Sequence, residues 1–397
     1  MAALGSTIVI GGGMAGMSCA LRLKEHGVPV TLVTDFLGGR VCYSAETRMN
    51  FGAVFYMENY KNARKILTPG PRLAYPLGQI SLHNSETDVF CAKSFRMLRH
   101  LPQLIRFKRF MKKFMEHYNA YKDACEIISV EEALGRDTFL AKLYHDKADD
   151  IIRQLRIDGV AADFLSKFAY ACTGAKANVL NALDYLNTLQ GVVIPIYSFS
   201  FDPEGYTKRI GGNVIIDTVV SVTRGVTEHT VKTASGRTLA APNIVLATPA
   251  HITQKLIDIG PIRSYASLWS ALVQGKPRGA YAKRPVNYFS DEFDIIATVR
   301  RGAAEEYEVY AARKLDLRKY FYNPKVVKDK FWEAALFVKG DVIMKQDLGS
   351  GIYTAGDHNG LGMEPAAISG LYAANTIVAK TQDARPNPVL SHASSAN

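Results

Sequence analysis

Short apolar runs and helical stripes alternate at the start of this chain. Ser6-Thr-Ile-Val-Ile10 is a short run that ends in three consecutive apolar residues, which fits a buried strand. The pattern then breaks at glycines. From Met17 to His26, apolar residues recur at Met17, Ala20, Leu21 and Leu23, a spacing that predicts a helix. Gly27 ends it, and Pro29-Val-Thr-Leu-Val33 predicts a second strand. Thr230 to Leu239 reads as a hairpin turning at Ser235-Gly236. Residues 58–204 are mainly helical in pattern. Ser129-Val-Glu-Glu132 forms a capping box there, and Asp146–Leu155 and Gly159–Ala171 follow as further helices. Residues 261–349 alternate instead, as in Ile295-Ile-Ala-Thr-Val299 and Tyr307-Glu-Val-Tyr-Ala311, and predict strands. The class is α/β. Gln382 to Asn397 is rich in Ser, Pro, Asn and Ala and is expected to be a disordered tail.

The first break in the pattern carries chemistry. Gly11-Gly-Gly-Met-Ala-Gly16 is Gly-x-Gly-x-x-Gly between a strand and a helix, the order that a Rossmann-like dinucleotide site requires. Gly11 allows the tight turn, Gly13 lets the backbone approach a pyrophosphate, and Gly16 lets the helix pack on the sheet. Met14 and Ala15 lie between the second and third glycines, just ahead of that helix, whose free N–H groups and dipole favour phosphate. An acid normally closes the second strand and binds the ribose about twenty residues along. That place falls on Thr34, with Asp35 one later, and either residue can make the contact.

Further segments bear a family resemblance. Gly38-Gly-Arg40 follows the second strand, and Met49-Asn-Phe-Gly-Ala-Val-Phe55 comes next. Ile210-Gly-Gly-Asn213, Thr218-Val-Val-Ser-Val222 and Asn243-Ile-Val-Leu-Ala-Thr-Pro249 lie in the middle of the chain. Near the end, Ala355-Gly-Asp357 precedes Met363-Glu-Pro-Ala-Ala367. Together they resemble the flavin amine oxidase and phytoene desaturase superfamily, which implies a glutathione-reductase-like fold with non-covalent FAD. By that resemblance Gly39 and Arg40 meet the phosphates, Gly52-Ala53 lie by the flavin ring, and Val219 meets the adenine. Gly356 and Asp357 would meet the ribityl chain. The helix from Ala366, with Ala367, would start beneath the flavin. The helix usual between Gly-Gly and the adenine strand is nearly absent here. The resemblance implies an FAD-binding domain assembled from residues 1–57, 205–260 and 345–381, with the inserts at 58–204 and 261–344 forming an interleaved α+β substrate domain.

Composition narrows the rest. With 48% of its 397 residues apolar, the chain has enough for a large core. No run reaches the ~20 apolar residues of a transmembrane helix, and no leader peptide is visible. The five cysteines, Cys19, Cys42, Cys91, Cys125 and Cys172, are scattered without a Cys-x-x-Cys pair, which fits a cytoplasmic chain. The histidines lack metal-ligand spacing. The net charge of +11 suggests an anionic partner. Lys93, Arg96, Arg99, Arg106, Lys108, Arg109, Lys112 and Lys113 crowd one segment, about 93–118. Leu101, Leu104, Phe107, Phe110, Met111, Phe114, Met115 and Tyr118 run through it at helical spacing. Two readings stand level: an anionic membrane surface, or a helix packed on its own protein. No nucleic-acid module accompanies the charge. The pattern does not fix an oligomeric state.

A flavin accepts hydride or electrons, so the expected function is an FAD-dependent oxidoreductase. Two histidines are candidates for a proton-handling role, His251 and, preferred for its place after Asp357, His358. Amine oxidases place an aromatic just before Met-Glu, but here Gly362 stands there. The favoured reading is therefore dehydrogenation, desaturation or redox-type isomerisation of a hydrophobic, lipid-like substrate, isoprenoids and carotenoids among them. A flavin amine oxidase and a flavin-stabilised binding protein are the alternatives.

Overall fold

The computed structural model describes residues 5–302 and 305–383. The apolar run at the start is the central strand, Thr7–Ile10, of a five-stranded parallel sheet. Its neighbours are Val30–Thr34 on one side and Asn243–Leu246 on the other; Val214–Ile216 and Ile352–Thr354 complete the edges. All five run parallel, so both faces must be covered. Alternation decides which residue meets which cover. Ile8 and Ile10 face a three-stranded antiparallel sheet, Val219–Thr223, His229–Thr233 and Thr238–Ala241, and share a core with its Val231 and Ala241. Val9 and Val245 face the helices Met14–Glu25 and Met363–Asp383 and share a core with Met17, Ala373 and Ile377.

Local boundaries shift by a few residues from the sequence reading. The first helix begins at Met14 rather than Met17, and the second strand ends at Thr34. The C-terminal helix starts at Met363, ahead of Ala366, with Pro365 in its first turn, where a missing N–H costs nothing. It continues to Asp383, past the expected start of the tail; residues 384–397 lie outside the described residues. Gly211-Gly212 runs straight into the strand Val214–Ile216, which leaves no room for a helix. At Ser129, Oγ accepts the Glu132 N–H at 3.1 Å, but the Glu132 carboxylate turns forward to Arg136. The capping box is thus half formed. The helix expected at Gly159–Ala171 is broken by a π turn at Ala161–Leu165 and resumes as Ser166–Thr173.

The two inserts are not separate units. A seven-stranded sheet runs in the order Phe321–Lys339, Ser264–Pro277, Glu306–Ala311, Ile295–Arg301, Val286–Phe289, Ile80–His83 and Val89–Cys91. Its last two strands come from the first insert, and Ile80–His83 pairs in parallel with Val286–Phe289. Helices of the first insert, including Leu101–Ala124, Ser166–Thr173 and Ala182–Val193, pack over it in one core.

The basic segment divides. Phe107, Met111, Phe114 and Tyr118 of the helix Leu101–Ala124 are buried in that core, so this part of the stripe packs on the protein itself. The exposed apolar residues lie one step earlier: Phe95 is 68% exposed, Leu98 60%, Leu101 50% and Ile105 45%. Arg96 is held by Asp88 and Asp163, and Arg106 by the carbonyls of Leu155 and Arg156. Lys93, Arg99, Lys108, Arg109, Lys112 and Lys113 are exposed.

Candidate active site

One cavity of about 670 Å³ runs from the glycine turn of the parallel sheet to the inner face of the seven-stranded sheet. Its floor is the first βα turn. A Cβ on Gly16 would lie 1.9 Å from the Gly11 carbonyl oxygen, so this crossing admits only glycine. A Cβ on Gly13 would meet no atom within 4 Å; that face opens on the cavity, as a backbone that receives a phosphate requires. Gly11, Gly13, Met14 and Ala15 all line the cavity. Gly16 does not, and acts through packing. The N-terminus of the other long helix converges on the same space through Gly362, Met363 and Ala366. Ala367 is fully buried in the core it shares with Ala15 of the first helix. Two helix N-termini and a bare glycine backbone around one elongated cavity fit an anionic dinucleotide.

Thr34 and Asp35 separate cleanly. The Thr34 hydroxyl accepts the Gly12 N–H at 2.9 Å and donates to the Phe36 carbonyl at 2.8 Å. It is buried and ties the glycine turn to the second strand. Asp35 is exposed at the cavity, and its Oδ1 accepts the Phe36 N–H at 3.0 Å. Asp35 therefore has a carboxylate oxygen available where the ribose contact is expected. Val219 lines the same end beside Asp217 and Thr218.

Gly39, Arg40, Gly52, Ala53, Gly356 and Asp357 meet along the middle of the cavity. Arg40 grips Asp357 with both terminal nitrogens at 2.7 Å and also donates to the Ala335 carbonyl. Asp357 is 3% exposed in its side chain, so this fork neutralises a buried acid. Three distant segments, at 40, 335 and 357, are thereby fixed to one another. The Phe51 carbonyl accepts from Trp332 Nε1 at 2.6 Å and from Ser270 Oγ at 2.7 Å, which fastens the Gly52-Ala53 turn to the seven-stranded sheet.

The histidine preference reverses. His358 does not line the cavity. It is 4% exposed, its two ring nitrogens have no partner among the described residues, and burial holds its pKa down to about 4. A neutral ring walled off in this way cannot touch a substrate, and its catalytic candidacy falls. His251 does line the cavity; its ring lies 5.4 Å from that of Tyr265, and burial lowers its pKa.

Several lining residues were invisible to the sequence reading. Tyr60 stands with its hydroxyl oxygen 3.4 Å from where a Cβ of Gly362 would be. Gly362 has φ +106°, which disfavours any side chain there; an aromatic from the first insert fills the space instead. Tyr60 is held by Glu364, whose carboxylate accepts the backbone N–H groups of Lys61, Asn62 and Ala63 at 2.8, 2.9 and 2.9 Å. Above it, Phe55, Phe168 and Tyr288 form an aromatic ladder with centroids 6.5 and 6.3 Å apart. Only the Met-Glu spacing hinted at any of this.

The profile of the pyridine nucleotide-disulphide oxidoreductase family matches residues 5–260. No curated protein matches the sequence. Among solved structures, the chain is similar to a putrescine oxidase redesigned in cofactor binding, at TM-score 0.65 and 12% identity over 94% of this chain and 99% of that one. It is similar to cyclohexylamine oxidase from Brevibacterium oxydans at TM-score 0.62 and 13% identity, over 96% and 99%. The CLA-producing fatty acid isomerase from P. acnes gives TM-score 0.67 and 13% identity, again over 96% and 99%.

Proposed function

The chain belongs to the pyridine nucleotide-disulphide oxidoreductase family and is a flavin-dependent oxidoreductase, and from that premise we propose that it holds FAD non-covalently and withdraws hydride from an apolar, lipid-like substrate. The reaction is a dehydrogenation, desaturation or redox-type isomerisation. The observation that carries this reading is the wall above Gly362: Tyr60, Phe55, Phe168, Tyr288, Leu268 and Val299 enclose an apolar space next to the cofactor residues. Disulphide chemistry lacks its reagent, because the five cysteines are free and none forms a Cys-x-x-Cys pair. Cys172, at the cavity, has its thiol pushed up to about 12 by burial, which disfavours the reactive thiolate.

Bound there, a flavin supplies a two-electron acceptor. The first glycine turn and Asp35 would hold its adenosine and phosphates, Arg40 and Asp357 its middle, and Gly52-Ala53 and Met363 its ring. The chain's own contribution to the reaction is exclusion of water and orientation. The aromatic ladder grips an alkyl chain, and Glu364 keeps Tyr60 in place beneath it. The stripe of Phe95, Leu98, Leu101 and Ile105, with Lys108, Arg109, Lys112 and Lys113 along the next helix, suits docking on an anionic membrane surface from which such a substrate is drawn. Among the described residues no helix is long and apolar enough to cross a membrane.

One observation favours the amine oxidase alternative: Tyr60 restores an aromatic beside Gly362. Anaerobic stopped-flow mixing of the holoprotein with long-chain unsaturated lipids and with primary amines separates the readings. Transient or lasting loss of flavin absorbance with the lipids supports the proposal. Loss with amines alone, and peroxide formed in air, overturns it in favour of an amine oxidase. No change with either class leaves the flavin-stabilised binding protein.

A further inference from the structure

Four of the five inner strands of the large sheet turn six side chains into the cavity. Leu268, Tyr288, Ala297, Val299 and Tyr310 are apolar or aromatic; the sixth is Glu308. Glu308 and Tyr310 alternate along Glu306–Ala311 and so share a face. Leu272 and Val299 sit opposite Glu308 on the flanking strands. A carboxylate on such a wall needs donors, since a buried acceptor left unsatisfied is costly. Tyr310 donates its hydroxyl to Oε2 at 2.7 Å. Arg301 Nε stands 3.4 Å from Oε1, while its two terminal nitrogens donate to the carbonyls of Thr47 and Arg48 at 2.6 and 3.2 Å. Oε1 therefore keeps accepting capacity, and Arg301 compensates the charge.

We propose that Glu308 anchors a neutral hydrogen-bond-donating head, a hydroxyl, at the end of the apolar substrate; the proposal rests on the apolar reading of the cavity. Three other heads fit less well. An ammonium would pair with an acid whose charge Arg301 already compensates from 3.4 Å. A carboxylate faces Glu308 itself, and two like charges on a low-dielectric wall repel. A plain hydrocarbon leaves Oε1 without a donor. A hydroxyl donates to Oε1 and brings no charge, so the chain selects long-chain alcohols over fatty acids and fatty amines.

Dodecanol, dodecanoate and dodecylamine share one chain length and test this on the holoprotein, read by perturbation of flavin absorbance and by calorimetric titration. Dodecanol is expected to bind about tenfold more tightly than either charged probe. Glu308→Gln places an amide donor on the wall and should bring dodecanoate to within about threefold of dodecanol, with the flavin spectrum retained as the folding control. Equal binding of the three probes by the wild type, or an unaltered ratio in Glu308→Gln, overturns the anchor and leaves the apolar cavity standing. No binding of any probe overturns both. If Glu308→Gln does not fold, the wild-type ratio decides alone.

Discussion

Glu364 ties the C-terminal helix to the segment that carries Tyr60, and its removal should be felt throughout the site. The residue is 2% exposed. Oε1 accepts from Lys61 at 2.8 Å and Asn62 at 2.9 Å, and Oε2 from Ala63 at 2.9 Å. Glu364→Ala leaves these three backbone donors without their acceptor. A hydrogen bond to a charged group contributes about 1.5–3 kcal/mol, and an acid in a helix's first turn adds about 0.3–1 kcal/mol. The three bonds converge on one carboxylate and do not add in full, so the expected loss is about 3–5 kcal/mol. That is a large part of the ~5–15 kcal/mol that holds a domain folded. Glu364→Gln keeps one acceptor oxygen but turns an NH2 toward a backbone N–H, and should lose about half as much. Urea unfolding of the holoprotein, followed by circular dichroism and flavin fluorescence, measures both variants. The midpoint should fall in the order wild type, Gln, Ala, with the slope unchanged. An Ala variant within about 1 kcal/mol of wild type, or a Gln variant weaker than Ala, would refute the reasoning.

The remaining predictions concern cofactor and surface. Asp35→Ala should raise the FAD dissociation constant about tenfold, whereas Thr34→Ala should chiefly lower the unfolding midpoint, because its hydroxyl is engaged with Gly12 and Phe36; equal, negligible effects on FAD affinity would show that neither residue grips the ribose. Arg40→Ala removes the fork from a buried Asp357 and should weaken FAD by about 1.5–3 kcal/mol; isothermal titration showing no change would count against Arg40 as a cofactor contact. Anionic liposomes should co-sediment the wild type at low salt, each nearby cation contributing about 1 kcal/mol; replacing Phe95, Leu98, Leu101 and Ile105 by Ser should remove the part of the binding that survives high salt, and a wild type that stays in the supernatant dismisses the membrane surface.

The parallel sheet was legible because its determinants are local. A strand, three glycines at fixed offsets and a helix lie within twenty residues, and each glycine has its own steric reason. The stripe of Phe107, Met111 and Phe114 was legible as a helix but not as a core. Spacings of three and four look the same whether the stripe meets a membrane or the protein's own sheet. Exposure instead fell on Phe95 and Leu98, in a short helix that Arg96 clamps to Asp163. The substrate wall could not be read at all. Glu308 and Ala297 meet through the pairing of two strands of the second insert, and Tyr60 reaches the same cavity from the first insert; no local pattern encodes that meeting. Gly362 lacks the aromatic of the resembled amine oxidases; its φ of +106° and the Tyr60 hydroxyl beside it show why the space is filled from elsewhere. His358 followed a motif and looked placed for chemistry, but the backbone after Asp357 carries it away from the cavity into the core.

Acid precipitation of the purified protein tests the cofactor assignment most directly. The native protein should be yellow, and the supernatant after precipitation should contain intact FAD at about one per chain, released because no covalent bond holds it. A colourless protein that takes up NAD but not FAD on titration would contradict it, as would yellow colour that stays with the precipitate.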